Sequence, residues 1–392
     1  MENNSRAASW LFTAPKPLNF VSLFTIGSLL LASPLFAQQA APSKPQPDTL
    51  ILTDGEKLIG QFLRSTGTSV AFKSDLAGEV TVDLSKVQEL RSANQFAVIE
   101  KGVQLRNKQD MGSVPQGNLT VANQQLQVAA QAQAAPQSVP FSNTAYVLNE
   151  TTFRKDILNP PSFFGGWVGN LSAGASLVQA TQNSRSFTSA VSLVRALPGE
   201  TWLAPRNRTA LNFAASYGQV TQPNTPTVKT NIIHGDIERD EYIHPRLYLF
   251  GSGAWDHNFS QGLDLQQAYG GGLGWTAYKS DTAELDFRAS VDYIRQQFVN
   301  SAFNQNLIGS TFGETYNQKF AHGIVLAEAL SITPAWNNFS AYSALGSVTL
   351  GLPLYKHFNL TLGTIDSFLN NPPPGFRKNS FQFITALTYT LP

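Results

Sequence analysis

The chain has 392 residues, 42% of them hydrophobic and only 14% charged, with a net charge of +1. Globular chains carry about 25% charged residues, so the deficit fits a surface turned mostly to lipid, and the balanced charge gives no basis for a nucleic-acid partner. There is no cysteine, which excludes disulfides, thiol catalysis, cysteine metal sites and a lipid-modified mature end.

Residues 1–37 read as a secretory signal. Arg6 and Lys16 supply positive charge, 20–31 is an apolar run, and Ala32-Ser33-Pro34-Leu35-Phe36-Ala37 leads to cleavage expected after Ala37. The competing reading is an uncleaved anchor helix. Residues 38–48, with repeated Ala, Pro and Gln, form a tether.

Residues 49–128 read as a small soluble β module. Leu50-Ile51-Leu52 stops at the turn pair Asp54-Gly55, 57–63 returns, 69–73 is a third strand, and 79–84 alternates after Ala77-Gly78. Val87 and Leu90 are placed to close a barrel-like sheet, and 96–128 repeats the pattern less clearly. A linker is expected over 129–160, Ala/Gln/Pro-rich to Asn143, ambiguous between helix turn and strand over 146–155, and ended by Pro160-Pro161.

From 161 to 392 the pattern is repeated two-residue alternation. The stretch 284–293 shows it best: Leu285, Phe287, Ala289, Val291 and Tyr293 fall on one face, and Glu284, Asp286, Arg288, Ser290 and Asp292 on the other. Similar strands are expected at 167–177, 187–195, 208–217, 231–242, 247–256, 266–278, 316–332, 342–352, 358–368 and 381–391, with a loop over 299–311. Successive segments of this kind, separated by turn residues, are the signature of a transmembrane antiparallel β-barrel with lipid outside and a polar interior. Eleven strands are legible. A barrel with both ends on one side needs an even number, so twelve are expected, with ten as the alternative. The missing strand is sought at 146–155 or within 299–333. Glu328 interrupts an otherwise apolar face.

Several segments resemble an uncharacterised bacterial family described as salt-induced outer-membrane proteins. They are Gly166-Trp167-Val168-Gly169, Ala173-Gly174, Arg195-Ala196-Leu197-Pro198, 248–256, Gly270-Gly271-Gly272-Leu273-Gly274-Trp275 and Asn371-Pro372-Pro373-Pro374-Gly375, with 54–60 ahead of the barrel. The first hairpin departs, with Gln182-Asn183-Ser184 where a Gly-Asn turn is usual. The resemblance implies an outer-membrane barrel with no established activity. The last strand, with Phe381, Phe383, Leu387, Tyr389 and Leu391 on one face, resembles the segment recognised by the outer-membrane assembly machinery, although the chain ends Leu391-Pro392 rather than in Phe.

The polar faces supply the candidate residues. His234, Asp236, Glu238 and Asp240 share one strand face, and Glu284, Asp286, Arg288 and Asp292 another. All eight are candidate lumen-lining residues. His234 with Asp236 and Glu238 makes at most a weak cation site, and charges of both signs pairing across strands is the preferred reading. Asp256, His257 and Ser260 suggest a rim hydrolase, but adjacent strand residues point to opposite faces. No catalytic, cofactor or metal residue is assigned.

The leading functional reading is a non-enzymatic envelope protein, structural or stress-related, embedded in outer-membrane lipid, its module docking a periplasmic partner. A narrow porin-like channel for small polar solutes is the alternative, and a rim hydrolase the third reading. Small barrels fill their interior, and ~16 strands leave a channel. Twelve lies between.

Overall fold

The structure is a computed structural model that describes residues 47–103, 112–122, 125–129, 136–179 and 183–391. The signal expected at 1–37, and all but the last two residues of the tether, lie outside the described residues.

The module is a nine-stranded sheet: β1 (Asp48–Leu52), β2 (Lys57–Thr66), β3 (Ser69–Ser74), β4 (Gly78–Asp83), β5 (Val87–Glu100), β6 (Gln116–Ala122), β7 (Gln125–Ala129), β8 (Gln137–Pro140) and β9 (Thr144–Asn149). The spatial order is β4-β3-β2-β1-β5-β6-β7-β8, and β9 pairs with both β2 and β5. Strands β2 and β5 are long and bent, so each serves β1 with its first half and β9 with its second. The ring β1-β2-β9-β5 closes around Leu50, Phe62, Leu90, Phe96 and Val98. Val87 and Leu90 do pair β5 with β1.

The module extends beyond the boundary expected at 128. Gln137–Pro140 and Thr144–Asn149 lie within the expected linker, yet both are module strands. Their apolar residues are too few and scattered to alternate visibly. Val139 and Val147 are nevertheless buried in the main core. Asp48 is also buried: it accepts from the Phe62 amide at 2.8 Å and the Ser92 hydroxyl at 2.6 Å. It thereby fixes β1 against β2 and against the irregular stretch of β5 near Ser92.

Twelve strands form the second body: β10 (Val168–Val178), β11 (Asn183–Leu197), β12 (Asn207–Thr221), β13 (Val228–His244), β14 (Leu247–Asn258), β15 (Leu263–Lys279), β16 (Ala283–Phe298), β17 (Gln305–Lys319), β18 (Val325–Pro334), β19 (Tyr342–Tyr355), β20 (Phe358–Leu369) and β21 (Asn379–Thr390). Each pairs with the next and β21 returns to β10, closing an antiparallel barrel. The missing strand lies within 299–333. The expected loop contributes the start of β17, and the long strand expected over 316–332 breaks at a turn over 320–324. There His322 takes a left-handed φ of 62° and the Phe320 amide bonds Ile324 O at 2.8 Å. Even-numbered residues face outward on both sides of this turn, so the alternation runs through it in phase and reads as one strand.

The outer surface is apolar and uncovered, with Leu273 and Val291 both 52% exposed. Trp275 stacks on Phe287 toward one end, and Trp255 meets Tyr269 edge-on toward the other. An exposed apolar band between aromatic girdles is what a lipid solvent selects, so the barrel is transmembrane.

Module and barrel are joined by packing. Trp202 and Leu203, in the turn between β11 and β12, enter a second core with Ile99, Leu148, Phe153 and Ile157. Arg64 lies over the Trp202 ring, 5.5 Å from its centroid. Arg195 donates to the carbonyls of Pro161 at 2.7 Å and Gly165 at 3.0 Å, tying the approach to β10 against β11.

Inside the barrel, Gly270, Gly272 and Gly274 leave one side of β15 without side chains. The Tyr248 ring occupies the space where a Cβ at Gly274 would stand.

Two outcomes follow. Asp48→Ala should cost about 1–3 kcal/mol by leaving the Phe62 amide buried without its acceptor, read as faster hydrogen exchange confined to β1, β2 and β5. Gly274→Val should expel Tyr248 from the wall at about 1–3 kcal/mol, read as a lower temperature at which the folded form loses its fast electrophoretic mobility. Unchanged values would contradict these packing assignments.

Candidate functional site

Pairing fixes which residues share a face. On β13 the exposed Ile233 and Ile237 face outward, so His234, Asp236, Glu238 and Asp240 face inward. On β16 Phe287, Val291 and Tyr293 face outward, and Glu284, Asp286, Arg288 and Asp292 face inward.

The inward charges are paired across a chord of the ring. Arg208 on β12 donates to Asp240 at 2.6 Å and lies 3.6 Å from Glu284 and 3.8 Å from Asp286. Arg288 on β16 donates to Glu238 on β13 at 2.7 Å. These side chains bridge strands three or four places apart. Beneath them pack Tyr242, Tyr248 and Phe250, with the Arg208 guanidinium 5.5 Å from the Tyr248 ring centre. Lys279 pairs with Glu284 at 3.2 Å, and Thr276 donates to Asp286 at 2.5 Å. A buried ion becomes tolerable only when paired and hydrogen-bonded, and this cluster meets that condition at the end of the barrel nearer the module.

Farther from the module the polar side chains form a belt. His234 sits between two carboxylates, with Nδ1 2.6 Å from Asp256 and Nε2 2.8 Å from Asp236. Asn212 donates to Asp236 at 3.0 Å, and Ser192 to Asn212 at 2.7 Å. On the other side Gln266 donates to Asp256 at 3.1 Å, Gln296 to Gln266 at 2.7 Å, and Gln305 to Gln296 at 2.7 Å. The belt thus crosses every strand from β11 to β17. Asp292 stands beside it, accepting from Ser290 at 2.9 Å and Thr311 at 2.6 Å.

The weak cation set is not assembled. Glu238 is engaged by Arg288 while His234 and Asp236 belong to the belt, and no group of metal-ligating side chains capable of holding an ion occurs among the described residues. The hydrolase set is not assembled either. Asp256 points inward to His234, whereas His257 points outward and bonds Asp264 O at 2.7 Å.

The opposite wall is chemically blank. Described inward residues of β10, β11 and β18–β21 carry no charge; they include Ser172, Thr188, Ala329, Ser347, Thr361 and Gly363. Outside the barrel, Glu328 faces away from the interior between Tyr316 and Val348. With Glu314 and Asp366 it is one of three carboxylates on that side of the outer surface. Glu314 and Asp366 border a shallow groove of about 460 Å³ floored by Ala344 and Gly346.

The mouth farther from the module is spanned by a latch. Gln261, in the β14–β15 turn, is buried, and its amide donates to Ser367 O and Lys378 O, both at 2.9 Å. Strands β14 and β15 stand across the ring from β20 and β21, so the latch crosses the opening. Leu263, Phe298 and Leu369 pack beneath it, and the Phe376 ring lies against Gly262.

Arg208, Tyr248, Gln261 and the glutamine ladder were missed as site residues from sequence. Arg208 stood on a polar strand face, which was the only available signal. Gln261 sits in a turn where nothing distinguishes it from a solvated residue.

Three comparisons bear on the whole. A family model described as "Protein of unknown function, DUF481" matches residues 171–391. No curated protein matches. Among solved structures, the translocator domain of autotransporter NalP from Neisseria meningitidis is similar at 12% identity and a TM-score of 0.31, covering 57% of this chain and 87% of that one. The β domain of the Bordetella autotransporter BrkA is similar at 11% identity and a TM-score of 0.27, over 58% and 98%. The NanC porin is similar at 10% identity and a TM-score of 0.31, over 57% and 96%. At these scores the likenesses carry no argument about what this chain does. The family match spans more than half the chain and nearly the whole barrel, and the chain therefore belongs to the DUF481 family of proteins of unknown function.

Proposed function

We propose that this is a non-enzymatic protein of the bacterial outer membrane whose barrel is closed at rest and holds a rigid docking module on its periplasmic side. One observation carries the reading: hydrogen-bonded side chains cross the barrel at two levels, the Arg208 and Arg288 bridges inside and the Gln261 latch at the mouth. Loop lengths support the orientation. The connections at 245–246, 280–282, 320–324 and 356–357 are short and share the end of the barrel that carries the module, where 198–206, packed on the module through Leu203, is the long exception. Those at 222–227, 335–341 and 370–378 lie at the other end and are longer. Short periplasmic turns and longer external loops are the rule for such barrels.

The packing of Trp202 into the module core supports a fixed platform rather than a tethered one. The module carries free sheet edges at β4 and β8, and Leu76 is fully exposed at the β3–β4 turn. These features suit a periplasmic protein partner. The apolar band takes membrane lipid, and the strand over 381–391 is the segment offered to the assembly machinery. A narrow channel is the second reading, favoured by the blank wall of β18–β21, where inward Leu345 stays 40% exposed.

The test is conductance of the refolded full chain in planar bilayers. The native chain should show no steady current, and Gln261→Ala should add brief openings by freeing the loops that span the mouth. A steady, salt-proportional current through the native chain would overturn the closed-barrel reading in favour of the channel.

A further inference from the structure

The barrel has one weak seam. Its other neighbouring strands are laddered over eight or more residue pairs, the shortest being β17 with β18. Between β10 and β21 there are four: Asn170–Thr390, Leu171–Tyr389, Ser172–Thr388 and Ala173–Leu387. The Leu391 amide adds a bond to Gly169 O at 2.8 Å. Side chains reinforce the same stretch, Ser172 with Thr388 at 2.8 Å and Thr390 donating to Asn170 at 2.9 Å.

Beyond Ala173 the ladder stops, although both strands continue. Strand β10 runs on to Val178, and β21 extends back from Ala386 to Asn379. Gly174 marks the fork: a Cβ there would strike Thr385 O, so the strands still touch but out of ladder geometry. Above the fork Leu177, Phe381 and Phe383 are 64%, 63% and 67% exposed, more than Leu273 or Val291 in the middle of the band. Inward-facing Ser176 and Val178 are exposed too. The end of β10 is therefore uncovered on both faces, and it stands free of β21.

A free edge presents a row of unpaired N–H and C=O groups. In hydrocarbon such a group finds no partner, since an acyl chain offers nothing to pair with it. What matches an alternating row of donors and acceptors is another extended main chain. We infer that the half-seam above Ala173 is a binding slot for an extended polypeptide strand, inserted between β10 and β21. The recognised segment alternates, with apolar side chains toward lipid beside Leu177 and Phe383 and small ones inward beside Ser176 and Ile384. The slot stands apart from the closed-barrel reading, since it depends on the edge and not on the latch.

The chain has no cysteine, so introduced pairs report the seam without background. Gly169 and Leu391 form a hydrogen-bonded pair. Asn170–Thr390 is therefore of the non-hydrogen-bonded type, in which side chains lie closest. The same register, carried upward, would set Ser176 against Ile384 and Val178 against Gln382, both of that type. In the refolded full chain in phospholipid vesicles, Asn170→Cys with Thr390→Cys should oxidise rapidly. Ser176→Cys with Ile384→Cys should oxidise at least tenfold more slowly, and Val178→Cys with Gln382→Cys gives the same readout should that pair fail to fold. A synthetic peptide of the β21 sequence, residues 379–390, with Ile384→Cys should then be captured by the Ser176→Cys chain. A scrambled peptide should not, and the Asn170→Cys chain should capture neither. Equal oxidation rates for the upper and lower pairs would overturn the proposal, because the seam would be zipped. A slow upper pair with no preference for the β21 peptide would also overturn it, leaving a slot filled by lipid or water.

Discussion

A backbone group inside a bilayer has no water to turn to, and the rest of this structure depends on that constraint. Only helices and closed sheets satisfy it, and no helix among the described residues is long and apolar enough to cross. Twelve strands joined in a ring satisfy it with bonds between neighbours. Once the ring closes, strand geometry divides every sequence segment into a lipid face and an interior face. Charge then has one place to go. Arg208, Asp240, Glu238 and Arg288 are inside because their strands carry Phe213, Ile237 and Phe287 outside.

Interior charge creates its own problem, which this barrel meets by bridging. Removing one partner of a buried pair typically costs 3–5 kcal/mol, so the charged wall behaves as a unit. Its geometry depends on the glycines of β15, since Tyr248 can lie against the wall only where Gly274 has no side chain. With Tyr248 and Phe250 laid down on β14, Arg208 can pass over them to Glu284 and Asp286 on β16. One side of the barrel is thereby filled with paired charge and aromatic rings. The other is uncharged, with Ser, Thr, Ala and Gly among scattered apolar residues such as Leu345 and Ile384. Charge on the filled side is turned on itself, each Arg bridging to carboxylates across the interior.

Much of this was legible in the sequence because the strand period is two. Alternation set Leu285 apart from Asp286, and it placed all eight candidate residues on polar faces. It also set Asp256 and His257 on opposite faces, which weighed against the hydrolase reading. What alternation does not encode is where strands end. The turn over 320–324 keeps the phase, so β17 and β18 merged into one strand, and Gln137–Pro140 and Thr144–Asn149 have too few apolar residues to declare themselves. Partnership was the other hidden quantity. Arg288 and Glu238 are fifty residues apart, and Gln261 reaches carbonyls more than a hundred residues away. Such pairings follow from ring closure and loop path, neither of which leaves a local pattern.

The two ends of the barrel are held by different means, and that difference shapes which parts can move. At the module end, Leu203 is buried and Trp202 half-buried in a shared core, Arg195 is bound by three carbonyls, and the β10–β21 ladder is intact. Motion there would have to break several contacts together. At the other end the Gln261 latch, the Leu263, Phe298 and Leu369 cluster, and a second cluster in which Ala335 and Ala341 pack on Ile294 and Leu307 draw the loops together, beside a seam without rungs. Local opening is drawn from regions with few buried contacts and exposed backbone bonds. The half-seam above Ala173 is thus the least-bonded part of the ring, and it lies at the end that faces away from the module.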